Sequence, residues 1–384
     1  MHSKLLKYNI TMRKNISILT LVALLSILGG CKHNGTFTIN GEISMPGFDG
    51  SMVYLTDMNT MEPIDSAVVA DSKFSFQGTV EQPSIGGIQA ASVAGDVSCT
   101  SYIVLEEGTI YIDIVTDSLS GTPLNDYYYS HYTADSAIVR LKGLQQSIID
   151  EYYANADNKE MANSLMDKYS KADSCLRART SSILSGMYRE NAENILGAFA
   201  LTNLASEGGI TFDSLDNIMT HAKPIIANFQ PLVKTHDRMF NVANTSEGKH
   251  FVDLDGTDFA TGKATKLSKM ISSDQITLID FWASWCSPCR GEIKENLVRL
   301  YDKYGSQGLN IIGIDVWDQP NDHKTAVENL GIKYPQLIDK DGKATELYGV
   351  DGVPTILLID RDGTIVKRGI RGDAIEAAII EYLK

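Results

Sequence analysis

Cysteine is scarce. Five in 384 residues cannot staple a chain of this length, which excludes a disulfide-scaffold protein. Basic residues are also outnumbered, 34 Lys and Arg against 48 Asp and Glu, for a formal charge of −14. Residues 1–30 hold four bases (Lys4, Lys7, Arg13, Lys14) and no acid, so their removal takes the charge from −14 to −18. A surface that acidic repels phosphate backbones, which argues against nucleic acid as a partner. The apolar run at residues 16–28 falls short of the ~20 residues that a membrane span needs. What remains is globular: 43% hydrophobic and 21% charged, in a length that suggests two or three domains.

The N-terminus reads as an address. Arg13 and Lys14 precede the apolar run and small residues follow it, the layout of a secretory signal spanning residues 1–30. The segment Leu28-Gly29-Gly30-Cys31 resembles the lipobox of bacterial lipoproteins. That resemblance implies cleavage before Cys31, acylation of its thiol and new amino group, and a membrane tether. Lys32 stands where an aspartate would resemble an inner-membrane retention signal. Met12-Arg13-Lys14 also makes a compact basic start, so translation from Met12 is a second reading.

Three regions follow. In residues 31–126, Phe37 and Ile39 alternate with polar neighbours, as do Phe74 and Phe76, and Ile110, Ile112 and Ile114. Period two with turn signals at Pro46-Gly47, Asp49-Gly50, Gln77-Gly78 and Glu107-Gly108 predicts a small all-β sandwich. No His, Asp or Glu cluster in it has metal-ligand spacing, so it reads as a packing or binding module. Residues 127–240 read as helical: Leu141, Leu144, Ile148 and Tyr152 recur at helical spacing, and Gly and Pro are scarce between 144 and 185. The run Tyr127-Tyr128-Tyr129 reads as boundary packing, with a binding patch as the alternative. The stretch Ala243-Asn244-Thr245-Ser246-Glu247-Gly248 reads as a linker into the last region, 241–384. There strand-like stretches (276–281, 309–316, 355–359, 365–367) alternate with helix-like ones, which predicts an α/β layer around a central sheet.

The chemistry concentrates at Trp285-Cys286-Ser287-Pro288-Cys289, where a strand gives way to a helix. Two thiols three apart at a helix start close a small disulfide ring with little backbone movement. Unsatisfied N–H groups and the helix dipole favour thiolate at Cys286, the expected nucleophile, and Cys289 is placed to resolve the mixed disulfide. Pro288 suits the first helical turn. A zinc site would need two further ligands, and no second paired Cys or His motif exists.

Extended to Phe281-Trp282-Ala283-Ser284-Trp285-Cys286-Ser287-Pro288-Cys289-Arg290, the motif resembles the active site of thioredoxin-fold oxidoreductases, above all the TlpA/ResA branch of exported thiol–disulfide proteins. The resemblance covers about 135 residues and implies a C-terminal thioredoxin fold. Residues 36–125 resemble, by pattern alone, the β-rich domain of unknown function common in Bacteroidota lipoproteins. The resemblance also implies roles for individual residues. Val353-Pro354-Thr355 matches the cis-proline loop that lies against the dithiol and pairs with substrate; an ordinary trans proline is the alternative. Asp280, six before Cys286, matches the buried carboxylate, with a pKa raised toward proton transfer on Cys289; a solvated strand-end carboxylate is the alternative. Glu292, three after Cys289, matches a glutamate near the dithiol; a plain surface glutamate is the alternative. Trp285, Ser287, Pro288 and Val353 are the expected substrate contacts, and Ser287 occupies a position that tunes redox potential. Lys294 departs from the pattern: proline usually stands there and kinks the helix, so a straighter helix is expected.

The expected activity is therefore that of a lipid-anchored envelope thiol–disulfide oxidoreductase, without a cofactor. As a reductase it would serve exported disulfide-bearing proteins or apocytochrome, and so cytochrome maturation, and draw on an upstream thiol electron donor. An outer-membrane anchor facing the periplasm is the expected location. Two alternatives stand beside it: a peroxide-reducing enzyme, which would want a solitary cysteine, and a non-enzymatic binding scaffold. Cys99 and Cys175 are expected to be buried free thiols, with a disulfide between them as the alternative.

Overall fold

Alternation along the first strand sets the architecture. In β1 (Gly35–Glu42), Phe37, Ile39 and Gly41 turn inward while their neighbours are mostly exposed. The computed structural model describes residues 35–155, 157–339 and 341–384, so the signal segment and Cys31 lie outside the described residues. β1 joins β4 (Lys73–Val80), β7 (Gly108–Asp113) and β8 (Ser118–Ser120) in the order β4-β1-β7-β8. The second sheet runs β3 (Pro63–Val68), β2 (Met52–Asp57), β5 (Ser84–Ala91), β6 (Ser98–Leu105). Phe37, Ile39, Phe76, Ile110 and Ile112 from one sheet meet Val53, Leu55, Ile88 and Ile103 from the other in a shared core. This is the expected sandwich. Phe74 lies across from Gly41 in the β1–β4 register, and a Cβ on Gly41 would fall inside that ring.

The helical region continues from the sandwich. Its helices are α1 (Pro123–Tyr128), α2 (Ser136–Ala154), α3 (Lys159–Glu190), α4 (Ile195–Ser206), α5 (Phe212–His221), α6 (Pro224–Ala227) and α7 (Gln230–Asn244). Asn125, fully buried, accepts from Val104 N at 2.8 Å and donates to Val104 O at 2.7 Å. Its amide thus closes the free edge of β6 as another strand would. α4 buries Leu196, Leu201 and Leu204 against Ile85 and Val104 of the second sheet. Tyr128 packs at the junction of the two cores, so the tyrosine run is boundary packing.

The face read on α2 needs correction. Leu144 is 48% exposed, and the line turned toward α3 is Leu141, Gln145, Ile148 and Tyr152, with Gln145 bonded to Asp173. Both lines fit a helical period, and the position of α3 decides between them. The segment read as a linker is also tied down. α7 runs through Asn244, Thr245 is fully buried, and Arg368 donates to Thr245 O at 3.2 Å and Oγ1 at 3.1 Å. Arg238 at the same end of α7 pairs with Asp351 at 2.8 Å. Gly349, at φ +59°, lies so close that a Cβ there would meet Arg238 O at 2.8 Å. The helical region thus grips the chain just ahead of Val353-Pro354.

The last region carries a seven-stranded sheet. In order across it stand β10 (Ala264–Lys266), β9 (Asp255–Asp258), β13 (Gln336–Ile338), β12 (Leu309–Asp315), β11 (Ile276–Trp282), β14 (Thr355–Ile359) and β15 (Ile365–Arg368). Central β11 and β12 are parallel and buried at every residue. One face is covered by α9 (Val298–Tyr304), α10 (Pro320–Leu330) and α12 (Asp373–Tyr382), together with α8 (Ser287–Glu292), which carries the dithiol. The opposite face packs Ile279, Phe281, Ile312 and Ile314 against Leu267 and Tyr348, next to α11 (Lys343–Leu347). A layered α/β thioredoxin fold results. β9, β10, β13 and α11 are too short to leave a periodic signal in the sequence.

Candidate active site

Parity along β11 aims its side chains. Ile276, Leu278 and Trp282 belong to the core that also holds Cys286, Cys289 and Ile293, so Asp280 lies on that same face. The strand ends at Trp282, and α8 starts at Ser287 with Pro288 in its first turn. Cys286 is the N-cap residue; its Sγ accepts from Cys289 N at 3.1 Å. The two cysteines form a disulfide, both sulfurs buried beneath an exposed rim of Trp285, Ser287, Pro288 and Arg290. A pair closed in this way offers no zinc ligand.

The Val353–Pro354 peptide is cis, and Pro354 is buried. Val353 O lies 3.6 Å from Cys286 Sγ. A disulfide sulfur has no proton to donate, so this approach becomes a hydrogen bond only in the dithiol form. Asp280 is fully buried, and neither carboxylate oxygen has a hydrogen-bond partner. Burial pushes its pKa up to about 8; the Glu292 charge adds to the rise and Arg371 opposes it. Glu292 is half-buried, accepting from Gly372 N at 3.1 Å and from the Asn296 amide. It therefore ties the dithiol helix to the start of α12.

The straight helix expected from Lys294 is not found. A π-helical turn, Ile293–Leu297, separates α8 from α9. The wider turn interrupts the regular hydrogen-bond ladder while Ile293 and Leu297 stay buried. The two remaining described cysteines also differ from expectation. Both are free, Cys99 is only partly buried, and Cys175 is exposed on α3. Burial, with the charges of Asp113 and Asp117, pushes the Cys99 thiol up.

Several residues around the dithiol escaped the sequence reading. Trp317 follows β12 at φ +55° and is exposed. Asp318 accepts from Ser284 N at 2.6 Å and Ser284 Oγ at 2.7 Å, pinning the loop between β11 and Cys286. Tyr334, buried in the dithiol core, has no partner for its hydroxyl; burial and the Asp280 charge push its ionisation far up. Among the described residues, Asp315, Asp318 and His323 could also present donor atoms to a metal ion, all within 4.8 Å of one another. His323 Nδ1 lies 3.1 Å from Asp315 Oδ1, close enough to pair when protonated but poorly angled for a hydrogen bond. An aspartate three residues past the end of a strand, bonded back across 34 positions, has no local sequence signature.

Residues 248–368 match the AhpC/TSA family and residues 37–128 match the domain of unknown function DUF4369. Over 106 residues the chain is 37% identical to the thiol-disulfide oxidoreductase ResA of Bacillus thuringiensis subsp. konkukian, covering 28% of this chain and 60% of the relative. It is 27% identical to ResA of Bacillus subtilis over 143 residues, 37% of this chain and 75% of the relative. The chain thus spans about 60% of the length of the first of these relatives. Among solved structures it is similar to the thioredoxin domain of a thiol-disulfide oxidoreductase from Bacteroides vulgatus, at 27% identity and a TM-score of 0.34, covering 36% of this chain and 99% of that one. A thiol:disulfide interchange protein from Bacteroides sp. matches at 27% identity and a TM-score of 0.34, over 36% and 91%. The C-terminal region, whose layered sheet has the thioredoxin fold, is the part that matches the AhpC/TSA family, and the sandwich ahead of it is the part that matches DUF4369.

Proposed function

We propose that this chain is a lipid-anchored envelope thiol–disulfide oxidoreductase that reduces disulfides in exported proteins. The observation that carries the reading is the Cys286–Cys289 pair, closed at the start of α8 beside Val353-Pro354 and above a buried carboxylate. The relatives named for this activity support it.

In the reduced form the Cys286 thiolate attacks one sulfur of a substrate disulfide. The S–S bond breaks, a mixed disulfide forms, and the first substrate thiolate leaves and takes a proton. Asp280, whose pKa burial raises to about 8, takes the Cys289 proton in its ionised form as that thiol becomes a thiolate, and is left as the neutral acid. Cys289 then attacks Cys286 Sγ, which releases the second substrate thiol and leaves the enzyme disulfide. Two electrons have passed to substrate, and an upstream dithiol must supply two more to reopen the pair. Val353 beside Cys286 offers backbone groups to an extended substrate strand.

Apocytochrome thiols and other exported cysteines form the proposed substrate class. The tether at Cys31 would place the chain on the outer membrane, facing the periplasm. No helix among the described residues is long and apolar enough to cross a membrane. Reduced chain mixed with insulin should reduce its disulfides stoichiometrically. Cys286→Ala should abolish this, by at least ~1000-fold, and Cys289→Ala should accumulate a mixed disulfide. Retained exchange in Cys286→Ala would overturn the reading. A Cys31→Ala chain should likewise lose incorporation of labelled palmitate.

A further inference from the structure

All three tryptophans of the chain cluster at the dithiol. Trp282 is buried beneath it, whereas Trp285 and Trp317 are 62% and 47% exposed. Water is a poor neighbour for an indole ring, and two exposed ones on neighbouring loops form an apolar patch that no other element covers among the described residues. The patch is continuous with the reacting sulfur, since Trp285 directly precedes Cys286.

The backbone holds Trp317 there against its own preference. At φ +55° it occupies the left-handed region, which glycine enters freely and a bulky side chain rarely does. Four hydrogen bonds fix the turn to the dithiol loop. Val316 N donates to Trp282 O at 3.1 Å, and Ser284 donates twice to the Asp318 carboxylate, at 2.6 and 2.7 Å. The fourth runs from the Trp285 indole N–H to Trp317 O at 3.0 Å. With that N–H spent inside the chain, what Trp285 offers to a partner is apolar ring surface. A strained, over-determined aromatic beside a reactive centre points to selection of what binds there.

We propose that Trp317 is a specificity-determining residue. With Trp285 it forms an aromatic platform that grips an aromatic or large apolar side chain adjacent to the disulfide cysteine of a polypeptide substrate. The proposal rests on the exchange reading above and narrows its substrate class. Small disulfides without apolar arms gain nothing from the platform, whereas unfolded or extended polypeptides carry such side chains next to cysteine.

The test uses the oxidised full chain in detergent and two extended peptides that cannot exchange, Phe-Cys and Ser-Cys versions with the cysteine S-methylated. Calorimetric titration should show the Phe peptide binding about tenfold more tightly than the Ser peptide. Trp317→Gly, which relieves the backbone and should fold, should bring that ratio near one, and Trp317→Phe should restore most of it. No preference in the parent chain, or a preference kept in Trp317→Gly, overturns the proposal. So does equal weakening of both peptides, which would mark a structural role. Because these peptides undergo no redox chemistry, a chain that fails to reduce insulin but discriminates between them loses the exchange reading alone.

Discussion

The sandwich and the C-terminal sheet handle polar residues in opposite ways. β1 and β4 bury alternate positions and leave the others to solvent, so every polar side chain has an outer face to occupy. β11 and β12 are buried at all seven positions each, and the carboxylates of Asp280 and Asp315 have no outer face. Burial pushes both pKa values up. A sheet solvated on one side builds a core; a sheet covered on both sides can hold a carboxylate where its proton matters. The chemistry of this chain lies in the second kind.

The largest effect expected from that contrast is at Asp280. Its pKa in the fold is raised to about 8, so the fold holds the proton more tightly than the unfolded chain does. The wild type therefore has its full stability below the ordinary carboxylate pKa near 4 and loses stability as pH rises toward 8. Asp280→Asn removes this dependence. Its stability relative to wild type should be flat below about pH 4, rise by roughly 1 kcal/mol per pH unit to about pH 8, and level off. Urea unfolding at pH 4, 6 and 8 reads the difference, and parallel curves would show that the carboxylate is solvated or paired. Next in size is Ile39→Ala in the sandwich core, which should cost about 2–5 kcal/mol without moving the potential of the dithiol. A shifted potential would break the separation between the two regions. The smallest effect belongs to the outer face of the sandwich: Tyr111→Thr, at a 54% exposed position, should stay within about 0.5 kcal/mol.

The same contrast explains what the sequence made legible. Alternation in β1, β4 and β7 identifies strands because one face is wet. Asp280 stands out because it interrupts an apolar run that no solvated strand would contain. Cys286 and Cys289 need only local spacing and a helix start. Long-range choices were not legible. Leu144 fits a helical stripe as well as Gln145 does, until α3 packs against one of them. Trp282 donates to Gln336 at 2.9 Å across 54 positions, and Asp318 reaches back to Ser284 across 34. The left-handed turn at Trp317 carries none of the Gly or Asn signals that such turns usually have. The π turn after Glu292 likewise lies in a sequence that reads as plain helix.

The central claim is that the dithiol works by opening and closing, as a reductant. Its most direct test is to equilibrate the full chain in graded thiol/disulfide buffers, trap free thiols by alkylation and locate them by peptide mass. The account predicts one two-electron transition at Cys286 and Cys289, with a midpoint at or below about −250 mV, while Cys175 alkylates throughout. A pair that stays alkylatable at every potential, or closes with a midpoint near −120 mV, would contradict it.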